Sequence, residues 1–261
     1  MIIQRMIIIA LTAALANTAF AQTSEPQITL SEAQEAERVA RQFTKRLEQT
    51  KDMAPLTEEF FVPEFLEGYL QEGDFGHHFL ILKRDVASQV SRAELQRYYI
   101  ALLNLGYLHA LYFYSKYPST APDNFPPEER QFPPDVIRLI KKHPYAAAHM
   151  RNGTPAGDTD EWIDSAEKLR SQTDFMEKAG ELLRRYVIRG KAERTRAYRV
   201  TLTDFGQRFR HFQPSLSVCN EKCLGLPVGT RLIKVNVPVF QLRLARVGGR
   251  MRIVSTTFFF P

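Results

Sequence analysis

The chain has 261 residues, 44% of them hydrophobic and 11% aromatic, with a formal net charge of +6. Such hydrophobic content excludes a disordered chain, and the length suits one large domain or two small ones. Basic residues are scattered through KKHP (141–144), LLRRY (182–186) and RLARVGGRMR (243–252) among acidic ones. That pattern describes a generic cationic surface, and no nucleic-acid partner is expected.

The chain opens MIIQRMIIIALTAALANTAFAQ. Arg5 supplies a positive start, Met6 to Ala16 a short apolar core, and Ala19-Phe20-Ala21 a small-x-small cleavage site before Gln22. This order is that of a secretory signal peptide over residues 1–21. No cysteine lies near the site for lipid attachment. The expectation is a bacterial periplasmic or secreted protein without a stable membrane span after cleavage, and with residues 22–261 as a single α+β domain.

Ser31 and Gln34 form a capping-box pattern that predicts a helix with Ala33, Ala36, Val39, Ala40, Phe43 and Leu47 on its buried face, closing at Lys51-Asp52. Pro55 and Pro63 stand at first-turn positions of two short helices. HHFLILK (77–83) reads as a strand or as the start of another helix. Ser91 and Glu94 form a second capping box, and no charged residue occurs between Arg97 and Lys116. A helix apolar all round is buried on several sides. Asn104, Gly106, His109 and the tyrosines at 98, 99, 107, 112, 114 and 117 point to a protein core rather than a bilayer.

Residues 118–134 hold six of the fifteen prolines and read as an extended surface loop or linker. A short helix is predicted from Asp135 to His143, stopped by Pro144. Asp160 is placed to cap a long helix over Glu161–Arg189, with Trp162, Ala166, Leu169, Phe175, Ala179, Leu182 and Leu183 inward and Gly190 at its end. From about Arg196 the pattern becomes strand-like. In TRLIKVNVPVFQLRLARV (230–247) the apolar positions change parity at Val239-Phe240, which predicts a β-bulge in one long strand. Gly248-Gly249 then offers a two-residue hairpin turn.

The capped first helix, the KDMAPLTEEFFVPEF segment and the long terminal hairpin resemble the nuclear transport factor 2-like superfamily over about residues 31–70 and 196–258. That resemblance implies a cystatin-like α+β cone, with helices held inside a strongly curved antiparallel sheet. Residues 90–190 depart from the pattern, as an insertion or a separate subdomain. Members include isomerases, dehydratases, cyclases and non-catalytic binding modules, and no catalytic Asp/Tyr pair transfers to this chain residue by residue.

The two cysteines, in VCNEKC (218–223), cannot complete a structural zinc site alone. Three intervening residues also do not suit a redox motif. In an exported protein the pair reads as a Cys219–Cys223 disulfide worth about 2 kcal/mol, with a reactive thiol as the lesser alternative. His77-His78 diverge and do not form a metal pair. The adjacent glutamates Glu58-Glu59 and Glu128-Glu129 read as solvated faces. Arg243, Arg246, Arg250 and Arg252 around the last hairpin offer an anion site or a charged sheet edge. His109, one turn from Phe113 on the central helix, reads as an acid–base imidazole in an aromatic pocket or as a core histidine bonded to a tyrosine or carbonyl. Tyr99, His109 and Phe113 form the candidate pocket.

The fold class expected is α+β, a helical N-terminal two-thirds packed on a C-terminal curved antiparallel sheet. Function reads as a non-catalytic envelope protein binding an apolar small molecule or an envelope protein in a cleft between sheet and helices. A cone-fold isomerase, lyase or hydrolase-like enzyme is the alternative, and no cofactor or metal is expected.

Overall fold

The structure is a computed structural model that describes residues 28–63, 81–82, 86, 88–116, 132–143, 162–193, 215–218, 226–237 and 239–258. In chain order the elements are α1 (Leu30–Thr50), α2 (Ala54–Phe60), β1 (Ile81–Leu82), α3 (Arg92–Lys116), α4 (Pro134–Lys142), β2 (Trp162–Ile163), α5 (Ala166–Glu193), β3 (Ser215–Val218), β4 (Arg231–Val237), β5 (Phe240–Val247) and β6 (Arg250–Phe258). Helices fill the N-terminal two-thirds and pack against a C-terminal four-stranded antiparallel sheet, which is the fold class expected.

The capping box of α1 lies two residues earlier than its sequence suggests. Thr29 caps the helix, its hydroxyl accepting from the Glu32 amide at 3.3 Å while the Glu32 carboxylate accepts from the Thr29 amide at 3.0 Å. Ala36, Val39, Ala40, Phe43 and Leu47 are buried as the periodicity requires, and Ala33 is only half-buried. This face lies on the sheet, fastened by Glu32 to Arg231 at 3.0 Å and by an ion pair between Glu35 and Arg246. Phe43 is the hub of the contact. Its ring meets Phe60 at 5.8 Å, Phe61 at 6.1 Å and Phe240 at 6.4 Å, tying α1, the end of α2 and the sheet into one aromatic cluster. Full burial of one such ring contributes about 2–3 kcal/mol. Lys51 then ends α1 in the left-handed region, its amide bonded to the Leu47 carbonyl at 2.8 Å.

The Ser91–Glu94 box forms at the start of α3, with Ser91 Oγ accepting from the Glu94 amide at 3.2 Å. Glu94 accepts in return from the Ser91 amide at 2.8 Å, and from Arg170 at 2.7 Å. The Ser91 amide first, then Arg170, holds the Glu94 carboxyl down to about 2. From Tyr98 to Phe113 every residue of α3 is buried or half-buried, so the helix is the central one. Helix α5 lies beside it and runs the same way. Glu94 meets Arg170, Arg97 meets Asp174 at 2.8 Å and Glu177 at 2.7 Å, and near the far end Tyr112 meets Tyr186. The short strands β1 and β2 pair in parallel, Ile81 with Trp162 and Leu82 with Ile163. The two segments that feed these long helices therefore start together.

That pairing corrects the predicted start of α5. Trp162 and Ile163 are extended, and the helix begins at Ala166 after Ser165, whose hydroxyl accepts from the Lys168 amide at 3.2 Å. Asp160 lies outside the described residues. Gly190 does not stop the helix, which continues to Glu193.

Residues 230–247 do not form one bulged strand. They form two strands, β4 ending at Val237 and β5 beginning at Phe240, with Val237 paired to Phe240 and Val239 in the tight turn before β5. A two-residue turn pairs odd-numbered positions on one strand with even-numbered ones on the next, so the apolar parity must switch there. Ile233, Val235 and Val237 accordingly sit opposite Leu244, Leu242 and Phe240, all buried on one face. A register shift does occur, but one strand further on. Arg243 pairs with Ser255 and Leu244 with Ile253, leaving Val254 as the extra residue of β6. Gly248 and Gly249 make the second hairpin turn with φ of 56° and 77°, as their sequence predicts.

The resemblance to the cone superfamily does not hold. Sheet neighbours follow chain order, β3-β4-β5-β6, so β3 and β6 are separate edges and the sheet neither closes nor curls around helices. The free edge of β6 is met at one point by the chain leaving α2, through a parallel Phe61–Ile253 bridge and a 2.9 Å bond from the Val62 amide to the Ile253 carbonyl. The expected disulfide is also withdrawn. Among the described residues there is no disulfide, and Cys219 and Cys223 lie outside them.

Val239 turns the β4–β5 hairpin at φ 75° while 2% exposed, a backbone region that β-branched residues disfavour. Val239→Gly is expected to destabilise the protein by about 1–3 kcal/mol less than Val237→Gly, which removes the same atoms from an unstrained site. Urea denaturation of the two variants measures the difference, and equal losses would contradict strain at the turn.

Candidate functional site

The candidate pocket residues separate into two places on α3. Ten residues divide Tyr99 from His109, about 15 Å along a helix axis. Tyr99 is 2% exposed and packs edge-on against Tyr98 at 5.2 Å, deep in the core. Burial alone pushes the Tyr98 phenol far above its ordinary range. Tyr99 is therefore a core residue. His109 and Phe113 do meet, with ring centroids 6.2 Å apart at 62°.

What completes the surroundings of His109 comes from outside α3. Phe132, at the end of the proline-rich segment, stacks on the imidazole at 4.1 Å and 10°. It is held there because Pro133 and Pro134 start α4 immediately behind it, with Pro133 as the cap in an extended conformation. One turn beyond His109, the half-buried Tyr112 meets Tyr186 of α5 edge-on at 6.1 Å. Lys116 lies over the Tyr112 ring at 5.7 Å. Tyr186 is 36% exposed and donates its phenol proton to Asp135 in the first turn of α4. Partial burial, then the Asp135 bond, raises the Tyr186 phenol above its usual range. Helices α3, α4 and α5 thus bring His109, Tyr112, Phe132 and Tyr186 to one corner, with Phe113 beneath. Their chemistry is that of ring faces and edges, with cationic Lys116 and anionic Asp135 at the rim.

The half-buried amide of Asn104 ties α3 to the turn between α1 and α2. Asn104 Oδ1 accepts from the Met53 amide at 2.7 Å, and Nδ2 donates to Asp52 Oδ1 at 3.0 Å. Asp52 also accepts from the Ala54 amide at 3.0 Å and lies 3.7 Å from Arg184 of α5. Lys51, 6% exposed, reaches over the Tyr107 ring at 5.9 Å. One junction therefore joins the α1–α2 turn, α3 and α5.

A histidine contact was not anticipated from the sequence. His143 caps the C-terminus of α4, and its Nε2 lies 3.2 Å from the Ser171 carbonyl oxygen and 3.1 Å from Ser171 Oγ. Its ring packs against Phe175 at 4.7 Å. The only sequence signal was a histidine between a basic helix end and Pro144. Elsewhere the bland readings hold. Glu58 and Glu59 are exposed, and Glu59 pairs with Arg46 at 3.2 Å. Of the arginines near the last hairpin, Arg246 pairs with Glu35 and Arg252 donates to the Glu59 carbonyl at 2.7 Å. His77, His78, Glu128 and Glu129 lie outside the described residues.

Among the described residues no group of three His, Cys, Asp or Glu side chains is placed to hold a metal, and no helix is long and apolar enough to cross a membrane. No family model matches the chain, no curated protein matches it, and no solved structure matches it.

Asn104→Ala removes both bonds of the junction and leaves the Met53 amide and Asp52 without this partner. It is expected to cost about 2–3 kcal/mol in urea denaturation. Ser115→Ala, which loses only a 2.7 Å bond to its own helix at Tyr112, is expected to cost far less. Similar losses would show that the junction does not tie α3 to that turn.

Proposed function

We propose that this is a non-catalytic exported protein of a bacterial envelope that binds an apolar, ring-containing small molecule at the corner formed by His109, Tyr112, Phe132 and Tyr186. The observation that carries this reading is that α3, α5 and the residue leading into α4 bring partly exposed rings to one place. Partly buried aromatic rings offer large contact area at little cost in side-chain freedom, which suits a binding surface. The inner face of the sheet gives less support. Phe43, Tyr107, Ile233, Val235, Phe240 and Leu242 already fill the space between sheet and helices. The binding place proposed is therefore the helical corner rather than a cleft against the sheet. Export rests on the order of residues at the start of the sequence.

An enzymatic reading draws on one contact, His143 Nε2 with Ser171 Oγ. The same nitrogen faces the Ser171 carbonyl, and Ser171 sits inside a helix. A ring set between hydroxyl and carbonyl of one helical residue is clamped to that helix, which favours a structural role.

Native mass spectrometry of protein isolated from a periplasmic extract tests the proposal. An apolar adduct is expected on the wild-type protein and lost from the Phe132→Ala/Tyr186→Ala double variant. An adduct that survives both substitutions, or none on either protein, would contradict it.

A further inference from the structure

We infer that α4 is an acid-released strap over the aromatic corner, a short helix whose C-terminal fastening is the neutral ring of His143. The inference starts from length. Helix α4 has nine residues, and isolated helices below about 12–15 residues are marginal in water. Its order depends on what it docks against. Val136, Ile137 and Ile140 supply a buried apolar face. At the N-terminal end Phe132 stacks on His109 and Asp135 holds Tyr186. At the other end His143 is fastened to Ser171 and Phe175 of α5. Nε2 either donates to the Ser171 carbonyl, leaving Nδ1 to take the acid proton, or accepts from the Ser171 hydroxyl, a bond that acid breaks by protonating Nε2 itself.

The charges around the ring oppose that acid proton. Burial is the largest effect, and Lys178 of α5 adds to it, while the Ser171 carbonyl bond works the other way. On α4 itself Lys141 and Lys142 occupy the last turn. The dipole of α4 favours a cation at its C-terminus and, like the Ser171 carbonyl, works against this trend. On α5, Asp174 is drawn to Arg97 at 2.8 Å and Glu167 is exposed one turn before Ser171. His143 is thus held below its usual 6.5. The docked ring binds protons less readily than the released one. Docking keeps its full stability above the free histidine value and loses it as pH falls from there through the docked value. Release would carry Phe132 off His109 and take the proposed binding corner apart. That consequence rests on the proposed binding function, whereas the strap itself does not.

Amide hydrogen exchange on the mature chain at about pH 7.5 and about pH 5, corrected for intrinsic rates, tests the strap. Protection of α4 is expected to fall several-fold in acid while that of α3 is unchanged. His143→Gln keeps an N–H donor for Ser171 but cannot titrate, and is expected to hold α4 protection equal at both pH values. Equal protection in the wild type, or the same acid loss in His143→Gln, would overturn the inference. Binding of the neutral apolar dye N-phenyl-1-naphthylamine in the same samples separates the two ideas. Release of α4 with unchanged dye binding upholds the strap and contradicts the binding reading. A fall in acid that Phe132→Ala already shows at neutral pH supports both.

Discussion

A helix without a charge between Arg97 and Lys116 calls for cover on several sides, and the rest of the fold answers that constraint. Each face of α3 meets a different neighbour. Tyr107 stacks toward the sheet on Phe240 at 6.2 Å, and Leu108 lies 3.9 Å from where a side chain at Gly180 of α5 would begin. His109 takes Phe132 from the start of α4, and Asn104 takes the turn between α1 and α2. Charge returns at the N-terminal end, where Arg97 bridges Asp174 and Glu177 in partly exposed pairs. Such pairs add little energy individually, so they set the alignment of α3 with α5 more than they hold it. The sheet joins the same core through Phe43 and Phe240, which is why a small four-stranded meander with two open edges suffices.

Much of this was legible where the determinant is local. The Ser91–Glu94 box, Pro55 in the first turn of α2, and the glycine pair before β6 act within a few residues, and the structure places them as their chemistry requires. The parity switch at Val239-Phe240 was a true signal with two mechanisms behind it. A bulge and a two-residue hairpin both move the apolar set to the opposite parity, and the left-handed Val239 beside a proline hid the turn, because such turns ordinarily use glycine or asparagine. The start of α5 failed for a different reason. Trp162-Ile163 fits a helical stripe, but its extended form is set by pairing with Ile81-Leu82, far away in sequence. The cone resemblance rested on the order of elements, and order alone does not say whether a sheet closes.

The site divides along the same line. His109 and Phe113 stand one turn apart, so their contact follows from helical geometry, and the same geometry places Tyr99 elsewhere. Phe132, Tyr186 and the His143–Ser171 contact depend on how α4 and α5 dock, which no local pattern encodes. The corner and the strap are thus consequences of covering α3. Phe132 covers part of one face, and the helix that follows it is fastened by the only histidine described at a helix terminus.

The central claim is that α3 is the axis on which everything else is ordered. Native-state hydrogen exchange along Tyr98–Leu111, followed through low concentrations of urea, tests it most directly. The account predicts that these amides exchange only through global unfolding, with the same free energy and urea dependence as the whole transition. Exchange of α3 through smaller openings, while β4 to β6 stayed protected, would contradict it.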